Sequence, residues 1–286
     1  MQMSTKREIS FVKMQGCGND YIYIDCMENE ITLSEQEIAR LSDRHFGIGG
    51  DGVVLICASD VADAKMRMFN EDGSEGMMCG NAVRCIAKYL CDCRGMAKAC
   101  ITIETRSGIK RIYPVIVDGK MLSASVDMGQ AILDPAQIPV ELPGESVIAR
   151  EVTIGGDSSV ITCVSMGNPH CVIFCADPDA LHLPEIGSKY EHDSIFPQRA
   201  NIEFVRVEDD HTLNMRVWER GSGETLACGT GACAAAVAAV LSGYCAYDTD
   251  ITVKLRGGEL VIRYTKEQVT MTGAAELVFR GTISIS

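Results

Sequence analysis

Glu219-Arg-Gly-Ser-Gly-Glu-Thr-Leu-Ala-Cys-Gly-Thr-Gly231 runs directly into Ala232-Cys-Ala-Ala-Ala-Val-Ala-Ala-Val-Leu241. Glycines crowd one cysteine, Cys228, and the small apolar residues after it predict a packed helix. A thiol at that junction lies at a helix N-terminus, where unpaired backbone N–H groups and the positive end of the dipole favour an anion. Such a setting lowers a thiol's pKa and makes Cys228 a candidate thiolate.

The pattern occurs twice. Asn70-Glu-Asp-Gly-Ser-Glu-Gly-Met-Met-Cys-Gly-Asn81 leads into Ala82-Val-Arg-Cys-Ile-Ala-Lys-Tyr-Leu-Cys91, again a polar glycine-rich turn, one Cys-Gly pair and a helix. Subtracting 149 from the later numbers places Cys228 on Cys79, Gly229 on Gly80, Glu219 on Asn70 and Trp218 on Phe69. The same offset places Gly167-Asn168 on Gly18-Asn19, so Asn and Cys are 60 residues apart in both halves, 79 minus 19 and 228 minus 168. One register shared by such distant landmarks implies an internal duplication with one cysteine helix in each half.

The flanking segments predict strands at Ile9 to Met14, Tyr21 to Asp25, Val53 to Cys57 and Lys65 to Asn70, then three more between Ala99 and Met128. The last two of those three are joined by the hairpin signal Asp118-Gly119. Ser34-Glu-Gln-Glu37 is a capping box opening a helix to about His45. A looser run with Pro135, Pro139 and Pro143 reads as the linker. Strands then resume near Arg150, Val160 and His170, followed by a helix around Asp177 to Lys189. Further strands at Ala200 to Glu208 and Thr212 to Glu219 lead into the Cys228 helix, and strands from Ile251 onward complete the chain. The expected fold class is α+β: two pseudo-symmetric domains, each a mostly antiparallel sheet wrapped around a central helix. The first spans 1–128, completed by a returning segment 276–286, and the second spans 129–275.

Composition narrows the function. With 286 residues, 47% apolar and 23% charged, the chain is long enough for two globular cores. A net charge of −13 without any lysine or arginine run argues against nucleic acid or an anionic membrane as partner. No apolar run reaches the roughly 18 residues of a membrane span, and the polar start Met1-Gln-Met-Ser-Thr-Lys-Arg-Glu is unlike an export signal. Fourteen cysteines without a CxxC pair fit a reducing, cytoplasmic setting with no metal site expected. Cys26, Cys57, Cys163, Cys171, Cys175 and Cys245 then read as small buried hydrophobes, and Cys85 and Cys233 as helix packing. Cys17 lies in a glycine-rich loop, but its repeat mate is Met166. Of the five histidines only His170, beside Asn168, stands out.

Two thiols at facing helix N-termini would suit a two-base racemase or epimerase, one removing a proton from Cα and the other returning one to the opposite face. An amino-acid Cα–H is a far weaker acid than a thiol, and no cofactor motif is visible to absorb the carbanion's charge. The site would have to stabilise it with preorganised donors.

Met14-Gln-Gly-Cys-Gly-Asn-Asp-Tyr21, Asn70-Glu-Asp-Gly-Ser74, Met78-Cys-Gly-Asn81 with Arg84, Gly167-Asn-Pro-His170, Arg199-Ala-Asn-Ile-Glu-Phe204, and Glu219-Arg-Gly-Ser-Gly223 with Ala227-Cys-Gly-Thr-Gly231 together resemble the diaminopimelate epimerases. The resemblance spans residues 14 to 231 in the family's order. It implies a cofactor-independent enzyme interconverting LL- and meso-diaminopimelate for lysine and peptidoglycan synthesis, with small-molecule substrate as partner. By it, Cys79 and Cys228 are the acid/base thiols, assisted by His170 and Glu219. Asn19, Asn70, Asn168 and Asn201 would bind the substrate with Gly80, Asn81, Gly229 and Thr230 at the helix starts, and Glu219 and Arg220 would hold its distal end. A homodimer is compatible with the sequence, which does not decide it. Two positions depart from the pattern: Gly52 stands where some members carry Gln, and Ala82 where glycine is common. The alternatives are a racemase of another amino acid on the same fold and a non-catalytic thiol or metal-binding redox protein. Against the proline group stands Asn81, where that group shows His.

Overall fold

A computed structural model describes residues 7–285, which divide into two compact units: one up to Val126 joined by Gly273 onward, the other Asp127–Thr272. In the first, β1 (Arg7–Gly16) and β2 (Asn19–Cys26) form a hairpin around the Cys17-Gly18 turn, and α1 (Glu35–Ser42) follows. Next come β3 (Gly52–Cys57), β4 (Ala64–Asn70), the cysteine helix α2 (Gly80–Arg94), β5 (Ile101–Thr105), β6 (Gly108–Val117) and β7 (Lys120–Gly129). The second unit holds β8 (Arg150–Ile154), β9 (Asp157–Ser165), β10 (Pro169–Phe174), α3 (Leu183–Glu191), β11 (Asn201–Asp209) and β12 (Thr212–Glu219). It continues through the two-residue β13 (Gly223–Glu224), α4 (Gly229–Leu241), β14 (Asp250–Leu255), β15 (Gly258–Tyr264) and β16 (Val269–Ala274). The last strand, β17 (Glu276–Ile285), pairs antiparallel with β1.

The duplication is visible element by element. Adding 149 to the ranges of β1, β2, α1, β3, β4, α2, β5, β6 and β7 lands on β9, β10, α3, β11, β12, α4, β14, β15 and β16. Pairing repeats as well. The ladder β17-β1-β2-β3-β4-β5-β6-β7 is antiparallel except at β2/β3 and β4/β5. The ladder β8-β9-β10-β11-β12-β14-β15-β16 is parallel at the two corresponding steps, β10/β11 and β12/β14. Each parallel step needs a crossover, and the chain spends its helices there: α1 and α3 on the first, the cysteine helices on the second.

α4 is apolar on every side, and Gly231 through Val240 are all buried. A helix without a polar face must be enclosed, and α4 packs against β9, β10, β11, β12, β14 and β15. α2 is enclosed over its first two turns and turns polar toward its end, at Lys88, Asp92 and Arg94. On the opposite face of the first sheet, Ile38 and Leu41 of α1 pack onto Ile22, Ile24, Val53 and Leu55. Leu183 and Tyr190 of α3 do the same with Ile161, Ile173 and Phe204.

Local signals explain most boundaries. Ser34 and Glu37 make the reciprocal capping box. α1 stops at Ser42, short of His45, because the Asp43 carboxylate accepts from the His45 and Phe46 amides and closes its own turn. One continuous helix over Asp177 to Lys189 is not what forms: a 3₁₀ turn at Pro178–Ala180 is followed by extended residues and then α3. Pro184 accounts for the break, since within a continuous helix its ring would clash with the Ala180 carbonyl. The proline-containing run after β7 is irregular, yet Ile138, Val140 and Val147 are buried in the second unit's core.

Gly52 opens β3 at φ +154°, and a Cβ there would lie 1.9 Å from the Phe69 carbonyl oxygen. Gly52→Ala forces β3 and β4 apart and is expected to destabilise the protein by about 2–3 kcal/mol. The thermal midpoint should fall by about 5 °C or more, as followed by circular dichroism. An unchanged midpoint would mean that the strands yield freely at this point.

Candidate active site

In the first unit, Cys79 is the N-cap of α2 with extended backbone angles (φ −137°, ψ 121°), so the chain turns into the helix immediately after the thiol. Cys79 Sγ donates to Asn19 Oδ1 at 3.2 Å, from the residue that opens β2. Asn81 Nδ2 points to the same oxygen at 3.5 Å, and Asn19 Nδ2 donates to Asp51 Oδ2 at 2.7 Å. Asp51 also accepts from Arg44 at 2.9 Å and from the Asp20 amide at 3.1 Å. Burial first, then the neighbouring Asp20 charge, pushes the Asp51 carboxyl up, against the hydrogen bonds it accepts. Arg84, fully buried one turn into α2, donates to Asn81 Oδ1 at 2.7 Å and to the Gly80 and Ala274 carbonyls at 3.3 Å each. The helix start is therefore fixed from beneath by a guanidinium and from the side by Asn19. Asn70, exposed at the end of β4, donates to Ser74 Oγ at 2.9 Å and shapes its own turn.

In the second unit, Cys228 caps α4 (φ −119°, ψ 111°), its sulfur accepting from the Gly231 amide at 3.4 Å. Thr230 Oγ1 is 3.5 Å from that sulfur and accepts from Asn168 Nδ2 at 3.3 Å. Asn168 Oδ1 is 3.0 Å from His170 Nε2, and His170 Nδ1 is 2.6 Å from Glu203 Oε1, both side chains fully buried. Glu219, at the end of β12, accepts from Thr225 Oγ1 at 2.5 Å and lies within hydrogen-bond reach of Cys228. Burial pushes the Glu219 carboxyl up, opposed by those two hydrogen bonds. Asn201 bridges the Pro169 carbonyl and the Arg220 amide at 3.0 and 2.8 Å. The exposed Arg220 guanidinium turns to the Gln198 carbonyl at 3.1 Å.

The expected thiolate at Cys228 is not what this environment favours. Burial pushes the Cys228 thiol well up, and the Glu219 and Glu203 carboxylates push the same way, against the bonds from Thr230 and Gly231. A helix N-terminus lowers a thiol's pKa, whereas burial in apolar surroundings raises it. Here it is buried and faces carboxylates, so Cys228 is held as a thiol.

Glu203 is the functional-looking residue that motif reasoning passed over. Its Oε1 holds His170, whereas its Oε2 is buried without a hydrogen-bond partner. It also explains a difference between the two repeats. A Cβ on Gly231 would stand 2.8 Å from Glu203 Oε1, so glycine is needed at that point of α4. In the first unit the corresponding residues are Ala82 and Val54, 231 minus 149 and 203 minus 149, both fully buried. With valine beneath the turn instead of a carboxylate, alanine fits.

The model of the family described as diaminopimelate epimerase matches residues 11–133 and 162–278. The chain belongs to the diaminopimelate epimerase family. Over 279 residues it is 51% identical to the diaminopimelate epimerase of Acetivibrio thermocellus, covering 96% of this chain and 99% of that protein. Over 281 residues it is 51% identical to that of Desulfovibrio desulfuricans, covering 96% and 97%. Among solved structures, the backbone is similar to a hydroxyproline epimerase from Agrobacterium vitis (TM-score 0.69, 13% identity, covering 99% of this chain and 94% of that one). It is also similar to a phenazine biosynthesis protein of the PhzF family from Bacillus anthracis (TM-score 0.68, 18% identity, 98% and 100%). These distant likenesses concern the fold, the two-unit α+β arrangement of a diaminopimelate epimerase family member. At Gly52 the backbones of β3 and β4 leave no room for a side chain. Among the described residues no helix is long and apolar enough to cross a membrane, and no group of three or more His, Cys, Asp or Glu side chains converges as a metal site would require.

Proposed function

We propose that this protein interconverts LL- and meso-diaminopimelate by moving a proton at Cα between two cysteine thiols, Cys79 and Cys228. The observation that carries the reading is the repeated placement of a cysteine at the N-cap of an enclosed helix, beside an asparagine-bearing strand start, at positions 149 residues apart. Its near-50% identity to named diaminopimelate epimerases supports the substrate.

The chemistry follows from the two environments. Cys228, held as a thiol, delivers a proton in one direction, and Cys79, once its own proton has passed to solvent, is the thiolate that takes the Cα proton. After turnover the roles are reversed, and the reverse reaction starts from that state. Each helix start offers unpaired amides of the kind that favour an anion, Gly80 and Asn81 on α2 and Gly229 and Thr230 on α4. Asn19 and Asn168 orient the thiol neighbourhoods, while His170, fixed by Glu203, holds Asn168. Glu219 sets the proton affinity of Cys228, and Asn70, Asn201 and Arg220 take the substrate's remaining polar groups. The same reading assigns a cytoplasmic site of action and leaves a homodimer as a question for sedimentation.

Turnover of LL-diaminopimelate in D2O, without added cofactor, tests the two-base scheme. Solvent deuterium should enter Cα of the product while recovered substrate stays protiated during the initial phase. Equal deuterium in both pools from the first time points would replace the thiol pair with one shared base.

A further inference from the structure

β2 and β3 end together. Cys26 closes one and Cys57 the other, and the two are register partners across the parallel ladder. Register partners project from the same face on strands about 4.8 Å apart, within the roughly 4.4–6.8 Å Cα separation that a disulfide accepts. Cys26 is buried against the α1 core, whereas Cys57 is partly exposed. Sequence pattern alone reads both as packing residues, yet both line a surface cavity of about 420 Å³ together with Glu28, Glu30, Lys65 and Arg67.

Lys65 is the register partner of Cys57 on β4, and Arg67 follows on the same face two residues on. Both cations also have carboxylate partners, Lys65 with Glu104 and Arg67 with Glu75, at 2.9 Å each. The adjacent Cys26 thiol lowers the Cys57 thiol, burial opposes it, Arg67 and Lys65 assist, and Glu30 opposes. The adjacent Cys57, then burial, pushes Cys26 up, and Cys26 Sγ donates to the Ile24 carbonyl at 3.6 Å. One thiol is thus the nucleophile and its neighbour a proton-bearing second thiol, the division of labour of a dithiol exchange pair.

The geometry points to Cys26 and Cys57 as a redox modification site that takes a low-molecular-weight disulfide, with Cys57 attacking and Cys26 resolving. In the first step the Cys57 thiolate forms a bond to one sulfur of the incoming disulfide. The S–S bond breaks, and the departing thiolate takes a proton from solvent. In the second step Cys26 gives its proton to solvent and attacks the Cys57 sulfur, expelling the second thiol. Two cysteine thiols are oxidised to one disulfide, and one external disulfide is reduced to two thiols.

The test is to incubate the reduced full-length protein with oxidised glutathione and map its peptides under non-reducing conditions. A Cys26–Cys57 cross-link is expected. Cys26→Ser should instead accumulate one glutathionyl group on Cys57, and Cys57→Ser should form neither product at this site. Both variants should retain normal epimerase turnover, which separates this site from the thiols of the reaction. An unmodified Cys57 in the native protein, initial modification at Cys26, or cross-linking of either cysteine to a different thiol would overturn the assignment.

Discussion

Cys228→Ser is expected to lose epimerisation by about a thousandfold or more while folding as well as the parent. Serine is among the preferred N-cap residues, so its hydroxyl replaces the weak sulfur cap on the Gly231 amide with a better acceptor. Alanine would remove the cap and cost about 1 kcal/mol, mixing a stability effect into the result. The chemistry does not survive the exchange. A hydroxyl is a far weaker acid than a thiol, and the Glu219 and Glu203 carboxylates that push the thiol up penalise an alkoxide still more. Turnover number for LL-diaminopimelate and the thermal midpoint are the two readouts. Loss of turnover with an unchanged or raised midpoint supports the assignment, and turnover within tenfold of the parent removes Cys228 from the proton path. Cys79→Ser should behave alike in turnover. Its side chain makes no capping bond within α2, so the new cap should raise the midpoint slightly.

The two cysteine helices were legible because a glycine-dense turn followed by small apolar residues has few other readings, and because the pattern recurs at one offset. The capping box at Ser34 and the Asp118-Gly119 hairpin were legible for the same local reason: their chemistry lies within four residues. What escaped was chemistry across strands. Glu203 was quoted inside a motif, yet its role depends on the face it occupies and on the neighbour that faces it. Alternation along β11 does put Glu203 on the face of Asn201, and Asn201 is the register partner of His170. That parity was the available signal, but the parallel pairing that makes it useful was not readable from spacing. The Asn19–Asp51 bond was hidden in the same way, joining the first residue of β2 to the loop residue before β3. The protonation state of Cys228 was misread for a related reason. The local argument counted the helix dipole above the thiol and not the carboxylates brought up from β11 and β12.

Arg84→Met is expected to destabilise the protein by about 3 kcal/mol and to lower turnover at least tenfold, although Arg84 has no part in proton transfer. Its guanidinium is fully buried and donates to the Asn81 side chain, the Gly80 carbonyl and the Ala274 carbonyl. Methionine fills much of the same volume, so the cavity contribution is small. The loss is the hydrogen bonding. Buried acceptors left without donors cost about 1–3 kcal/mol each, and Asn81 Oδ1, at 2.7 Å the closest, suffers most. Arg84→Lys should recover only part of the stability, because an ammonium cannot reproduce the planar fork that reaches the helix start and the end of β16 together. The turnover effect runs through Asn81. Once its oxygen is unbound the side chain is free to rotate, and the shared contact with Asn19, which in turn holds the Cys79 sulfur, loosens. A looser thiol lowers the turnover number more than it raises KM, since ground-state contacts elsewhere are kept. Urea unfolding and steady-state kinetics on the Met and Lys variants decide the matter. A Met variant within about 0.5 kcal/mol of the parent and fully active would show that the α2 start is set by its backbone alone. A stable Met variant with impaired turnover would assign Arg84 an electrostatic role at Cys79 in place of the positioning one argued from its hydrogen bonds.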